Sequence, residues 1–238
     1  MHIFDVYFYG LHIAPTWYGL SYAIGFIICY FFIKKYFIFR DIRHIDSLLS
    51  FIFFGIILWG RIWYVILYNP IFFLEHPMQI LRIWEWWMSF HGGFIGTILA
   101  VYLFCKKYKY RFWSLIDTLA IIVPIAIWLG RIGNWINWEL PWYAPYYGLY
   151  PMNIGWINHF PSPLFEMLLE GIILFLRMVI YYLFFNKNKP GYISGIFLIG
   201  YSSARIIAEQ YRLPDEHIGY LFWTDFMTLG ILYTVPMI

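Results

Sequence analysis

Apolar stretches of bilayer-crossing length recur along the whole chain, at residues 17–39, 47–67, 91–105, 113–130, 163–185, 191–208 and 219–238. Crossing about 30 Å of hydrocarbon at about 1.5 Å per residue takes roughly 20 residues in a helix. Most of these runs meet that length; the third is short and the seventh ends with the chain. With 62% hydrophobic residues and only 12% charged, the chain lacks the polar surface a soluble domain of 238 residues would need. The expectation is an all-α integral membrane protein, one transmembrane domain over 1–238, with about seven membrane helices.

Charge sorted by loop gives an orientation. Lys34, Lys35, Arg40 and Arg43 follow the first run, Lys106, Lys107, Lys109 and Arg111 the third, and Lys187 and Lys189 the fifth. These loops share one side, which the positive-inside rule makes cytoplasmic. The N-terminus is then outside and the C-terminus inside. Residues 1–15 have neither a basic n-region nor a cleavage site after the first apolar run, so an uncleaved first helix is expected. Cys29 and Cys105 are too few for a disulfide framework and read as packed side chains.

Two outer loops stand out. Residues 134–163 contain five prolines with Gly148 and Gly155, which rules out a continuous helix. Trp135, Trp138, Trp142, Tyr143, Tyr146, Tyr147, Tyr150 and Trp156 suit a small cap seated in the headgroup layer, between the fourth and fifth helices. Residues 69–90, with Trp84, Trp86 and Trp87, form the second such loop.

The strongest functional signal is Gly130-Arg131-Ile132-Gly133-Asn134-Trp135-Ile136-Asn137-Trp138-Glu139. It puts an arginine, two asparagines and a glutamate at the end of an apolar run, where a charged side chain costs roughly 2.5–3.5 kcal/mol to insert. Arg61, Arg82, Arg205 and Arg212 also fall at or near the outer ends of their segments, while all seven lysines lie on the cytoplasmic side. Arginine's planar fork suits phosphate or carboxylate, so these arginines read as recognition groups. The alternative is structural: snorkelling, or pairing with Glu139, Glu166 and Glu209.

Two further clusters face the same side. Met88-Ser89-Phe90-His91-Gly92-Gly93-Phe94-Ile95-Gly96 opens the third helix, and its glycines leave a bare face that a helix or a lipid can approach closely. His91 stands at the rim of that face with a side chain suited to moving a proton near neutrality; alternatively it is a hydrogen-bonded anchor. Arg205, Glu209 and Arg212 follow i, i+4, i+7 spacing on one face of the sixth helix, as a recognition group or as a closing ion pair. Of the other charges within the runs, Asp117, Glu170, Arg177 and Asp225 read as packing contacts or as partners for one another.

These motifs resemble those of the bacterial prolipoprotein diacylglyceryl transferase family. The resemblance runs from Trp17-Tyr18-Gly19-Leu20 through Gly60-Arg61, Ser89-Phe90-His91-Gly92-Gly93, the decapeptide at 130–139, Pro161-Ser162 with Glu166 and Glu170, Pro190-Gly191, and Tyr201 with Arg205, Glu209 and Arg212, to Pro236-Met237-Ile238. It implies transfer of the diacylglyceryl group of phosphatidylglycerol to the lipobox cysteine of a preprolipoprotein, with release of glycerol phosphate. It implies no cofactor, metal or nucleic acid, a location in the bacterial inner membrane, and a site toward the outer leaflet. By position, His91, Arg131 and Arg205 match catalytic residues. Tyr18, Arg61, Gly92, Gly93, Asn134, Glu139, Tyr201, Glu209 and Arg212 match substrate-binding ones, with Glu139 and Glu209 expected to fix the arginine forks. A monomer is the default. The chain departs from the family pattern at Trp86-Trp87, Pro163, Phe165, Ser202 and Ile231, none of them assigned to chemistry.

A non-catalytic phospholipid-binding protein of the same fold is the alternative reading. A transporter is disfavoured, because no polar path through the midplane and no paired inverted repeat is legible.

Overall fold

A computed structural model describes residues 6–8, 11–13, 17–37, 41, 43–67, 70–82, 88–139, 141, 144–184, 189–211, 213, 221 and 227–235. Along the chain these form β1 (Val6–Phe8), β2 (Leu11–Ile13), α1 (Trp17–Tyr36), α2 (Arg43–Leu67), α3 (Pro70–Glu75), a 3-10 turn at Pro77–Leu81, α4 (Phe90–Tyr108) and α5 (Phe112–Ile136). The hairpin β3 (Met152–Ile154) and β4 (Ile157–His159) follows, then α6 (Ser162–Glu166), a π-helical stretch (Met167–Ile173), α7 (Leu174–Phe184), α8 (Tyr192–Glu209) and α9 (Leu229–Thr234). The chain divides into two compact units, one of residues 32–118 and one of residues 1–31 with 119–238.

Among the described residues, three helical segments, Arg43–Leu67, Phe112–Ile136 and Ser162–Phe184, are long and apolar enough to cross a membrane, with mean hydropathies of 1.9, 2.0 and 2.0. The distribution of exposure fits that setting. Phe54, Leu58 and Leu74 turn outward while Arg61, Glu166 and Glu170 are buried, the reverse of a water-soluble surface.

In the unit of residues 32–118, α2 and α4 meet through glycine. A side-chain carbon on Gly55 would lie 2.6 Å from the Gly96 carbonyl oxygen, and one on Gly92 would overlap the Trp59 carbonyl and the Trp63 side chain. The backbones therefore touch, and the Ser89 N–H donates to the Gly60 carbonyl at 3.0 Å. Of the two partners open to the glycine face at 92–96, a helix or a lipid, it is the helix α2 that packs against it. The Ser89 hydroxyl also caps α4 by accepting from the Gly92 N–H at 3.3 Å, which fixes the helix start. At the opposite end of α2, His44 Nδ1 lies 2.8 Å from the Tyr110 hydroxyl, and its ring packs 4.3 Å from that of Tyr108.

In the other unit, α5 runs through Pro124 and continues to Ile136, six residues past the expected end, so Arg131 and Asn134 sit within its last turns. From Ser162 to Phe184 the chain is one helical path with the π stretch inside it. Gly171 in that stretch lets α5 approach, since a side-chain carbon there would stand 2.7 Å from Trp128 Cβ. Gly200 does the same for α8, whose backbone meets the Leu174 side chain at 2.7 Å from such a carbon. Free Cys29 lines a small apolar cavity of about 50 Å³ with Gly25, Ile28 and Ile122; free Cys105, in the 32–118 unit, is buried.

Two short hairpins depart from an all-helical expectation. β1 pairs antiparallel with β2, Tyr7 opposite His12. Within the segment expected to cap the outer face, β3 pairs with β4, Asn153 opposite Asn158, across a two-residue turn of Gly155 and Trp156 at φ of 58° and 68°. Two positive φ values in succession are what a twisted two-residue hairpin turn requires, and glycine supplies the first at no steric cost. Of the expected seventh run, 219–238, the described part carries the short helix α9, capped by the Thr228 hydroxyl accepting from the Ile231 N–H at 3.3 Å. Trp84, Trp86, Trp87, Trp142, Tyr143, Arg40, Lys187, Arg212 and Asp225 lie outside the described residues, as does the side chain of Tyr18.

Candidate functional site

The unit of residues 1–31 and 119–238 holds five charged side chains in one connected group. α5 contributes Arg131, the end of α6 Glu166, the π stretch Glu170, and α8 Arg205 and Glu209. Arg131 reaches Glu166 through Nη1 at 2.8 Å and Glu170 Oε2 through Nη2 at 2.9 Å and Nε at 3.3 Å. Arg205 donates from Nη1 to Glu166 Oε1 and to Glu170 Oε1, each at 3.2 Å, and its Nη2 lies 2.6 Å from Glu209 Oε2. Both carboxylates thus bridge both guanidiniums.

The local backbone explains how they meet. Glu166 and Glu170 are four residues apart on a helical path, so both point to one side, and the π stretch begins between them. A π turn inside an α-helix re-aims the residues it carries and is frequent at functional sites. Arg205 and Glu209, at i and i+4, satisfy the spacing read from the sequence. Glu209 is held from its far side as well: the Thr228 hydroxyl at the start of α9 donates to its Oε1 at 2.8 Å.

The group is almost dry. Glu166 and Glu170 are 0% exposed, Arg205 7% and Glu209 6%; the Arg131 side chain is the most open at 15%. Stripping two arginines and three carboxylates of water costs several kcal/mol per ion, and the mutual attraction recovers this only with good geometry. A fold stabilised by packing alone would hold apolar side chains here. Chemically, the group is a near-buried pair of guanidiniums whose forks are held in fixed directions by carboxylates, with Arg131 at its open edge.

Beside it, Asn134 and Glu139 form a second polar pair. Trp138 adopts the left-handed region at φ 63°, folding the chain back after α5 so that the Asn134 amide donates to Glu139 Oε2 at 2.6 Å. The Asn137 amide donates to the other carboxylate oxygen at 3.1 Å. This corrects one expected pairing: Glu139 engages the asparagines, and the role of fixing the Arg131 fork falls to Glu166 and Glu170. It also corrects the reading of Glu170 as a packing residue apart from the cluster. Glu166 was among the pairing partners read for the outer arginines; Glu170 was not, because a carboxylate inside an apolar run carries no sequence mark of what it faces, and its four-residue spacing from Glu166 was the available signal.

Tyr201, one turn before Arg205, is 2% exposed and stacks on Phe197 with ring centroids 5.9 Å apart. Ser202 is fully buried, and its hydroxyl has no hydrogen-bond partner among the described residues.

Of the remaining sequence candidates, His91, Gly92, Gly93, Arg61 and Arg82 lie in the unit of residues 32–118. His91 occupies the first turn of α4 and is partly buried. Gly92 and Gly93 are buried against α2, Gly93 facing Ile56. Arg61 is 3% exposed; it donates from Nε to the Ile80 carbonyl at 3.1 Å and from Nη2 to the Gln79 carbonyl, with its guanidinium 5.3 Å from the centre of the Phe73 ring. These acceptors are backbone carbonyls. Arg82, just after the 3-10 turn, is exposed.

Comparison with known proteins gives the arrangement a context. The family described as prolipoprotein diacylglyceryl transferase matches residues 5–238. A phosphatidylglycerol–prolipoprotein diacylglyceryl transferase from Rickettsia typhi (strain ATCC VR-144 / Wilmington) is 40% identical over 234 residues, covering 94% of this chain and 88% of that protein. The protein of the same name from Rickettsia akari (strain Hartford) is 39% identical over 247 residues, covering 100% and 93%. That from Rickettsia bellii (strain OSU 85-389) is 38% identical over 242 residues, covering 95% and 88%. With the match running almost end to end, the chain belongs to the prolipoprotein diacylglyceryl transferase family.

Proposed function

We propose that this protein transfers the diacylglyceryl group of phosphatidylglycerol to the cysteine thiol of a preprolipoprotein lipobox. The observation that carries the reading is the family match over residues 5–238, supported by relatives near 40% identity that bear this activity in their names. In the reaction the thiolate sulfur bonds to the glyceryl carbon that carried the phosphate. The carbon–oxygen bond to phosphate breaks, and its electron pair leaves on the phosphate oxygen as glycerol phosphate. The thiol proton passes to a base.

Arg131 and Arg205 hold the phosphate and stabilise the charge that grows on the leaving oxygen, the kind of aimed electrostatics that usually contributes most to such steps. Their buried carboxylate-braced forks support this assignment. Asn134 orients the glycerol, steadied by Glu139, and Glu209 fixes Arg205. Tyr18, Tyr201, Arg61, Gly92, Gly93 and Arg212 complete the substrate-binding set, on the strength of the motif resemblance. His91 takes the proton of the incoming thiol, whose thiolate is the nucleophile; its support is the same resemblance together with imidazole chemistry near neutrality.

The protein acts as a monomer of about seven membrane helices in the bacterial inner membrane, N-terminus outside, with its site toward the outer leaflet and the 134–163 segment as an outer cap. The lysine-rich loops support that orientation.

Mass spectrometry of a lipobox peptide incubated with purified protein and phosphatidylglycerol tests the activity. A diacylglyceryl mass gain on the peptide cysteine, lost in His91→Ala, is the expected result. Lipid binding with no mass gain in the wild type would turn the reading to a binding protein without chemistry.

A further inference from the structure

The two arginines that meet the phosphate already carry carboxylates. Every nitrogen of the Arg131 guanidinium contacts Glu166 or Glu170, and Arg205 contacts Glu166, Glu170 and Glu209. Among the described residues the cluster therefore sets two positive charges against three negative ones. A site selected only to capture an anionic lipid would leave its arginines uncompensated.

The transfer itself supplies a reason for the compensation. Its substrate is a phosphodiester with one negative charge; its product is a phosphomonoester, whose second ionisation near pH 6 brings it toward two. Bare arginines in a dry site would hold the product more tightly than the substrate. Binding energy spent on the product slows turnover and adds nothing to the chemical step. A carboxylate charge at hydrogen-bonding range of a guanidinium, in surroundings of low dielectric, is enough to lower anion affinity by tenfold or more.

Resting on the transferase reading, we propose that Glu166 and Glu170 are positioning residues that act through Arg131 and Arg205: they brace the two guanidiniums at a set spacing and weaken their grip on glycerol phosphate so that the product leaves. The geometry favours these two over Glu209. Each bridges both arginines and each is fully buried, whereas Glu209 touches, among the described arginines, Arg205 alone and is shared with Thr228.

The test is inhibition of peptide lipidation by added glycerol phosphate, with its direct binding measured by calorimetry, in wild type, Glu170→Gln, Glu166→Gln and Glu170→Asp. The Gln variants are expected to bind glycerol phosphate at least about tenfold more tightly, with lower kcat and a lipid KM that is unchanged or lower. The Asp variant, which keeps the charge, stays near wild type. Combining Arg131→Gln with Glu170→Gln abolishes the gain, because the carboxylate acts through the arginine. Product affinity unchanged or weakened in both Gln variants overturns the proposal, and so does loss of folded protein in both, which would assign the carboxylates to the fold alone. Failure of the wild type to modify the peptide would instead sink the transferase reading, while glycerol phosphate binding would still test the carboxylates.

Discussion

Arg61 and the Arg131–Arg205 pair bury the same side chain in apolar helices by two different means. Arg61 gives its fork to the carbonyls of Gln79 and Ile80 and its face to Phe73, so one cation ties a 3-10 turn to α2. Arg131 and Arg205 instead share Glu166 and Glu170, in a group of five charges drawn from four helical elements of one unit. The first arrangement fastens a loop. The second holds charge in readiness at a place where packing would be better served by leucine.

Breaking that contrast should give effects of graded size. Arg205→Ala leaves Glu166, Glu170 and Glu209 short of a partner in a dry site, an imbalance that typically costs about 3–5 kcal/mol. The variant is expected to lose activity and to unfold in detergent well below wild type, read by thermal denaturation. Gly55→Val comes next: its side chain cannot fit against the Gly96 carbonyl, so α2 and α4 must separate, at a cost of about 1–3 kcal/mol or more. Arg61→Ala deprives two carbonyls of a donor and should cost about 1–3 kcal/mol, with proteolysis of the 77–81 turn accelerating first.

The smallest effect belongs to an arginine in water. Arg43 pairs with Asp41 at 2.7 Å, Arg43 largely solvated and the Asp41 side chain 32% exposed, and the guanidinium holds the Asp41 carboxyl down at about 2. A folded-state value depressed below the ordinary 3.8 means that the pair contributes above that ordinary value and is lost as pH falls toward 2. Solvent screening keeps the contribution small. Asp41→Asn should leave the melting temperature at pH 7 nearly unchanged, and a large drop would show that the exposed pair matters more than its setting allows.

Much of this contrast was legible in the residues, for identifiable reasons. The Arg205–Glu209 spacing announces itself because i, i+4 neighbours meet on any helix, and Ser89 marks the start of α4 because a hydroxyl there accepts from a free N–H. The cost of burying Arg131 singles it out without any structure. Glu166 was legible as a pairing partner for the outer arginines, but Glu170 was not, since a π turn between Glu166 and Glu170 leaves no trace in composition, and a glutamate in an apolar run looks the same whether it faces lipid, packing or an arginine. The hand-over of Glu139 to Asn134 hangs on one left-handed tryptophan, Trp138, a conformation the residue type argues against. The Gly155-Trp156 hairpin was hidden inside a segment whose prolines announced irregularity. The end of α5 lay beyond Gly130 and Gly133 because glycine punctuates a helix less firmly in an apolar setting than in water.

The central claim, that the braced arginine forks handle phosphate during the transfer, is tested most directly by Arg131→Lys. The variant keeps the charge and removes the fork. The rate of diacylglyceryl mass gain on a lipobox peptide, measured beside wild type on folded protein, should fall by about a hundredfold or more. Turnover at the wild-type rate would show that a point charge suffices at this position and would contradict the account.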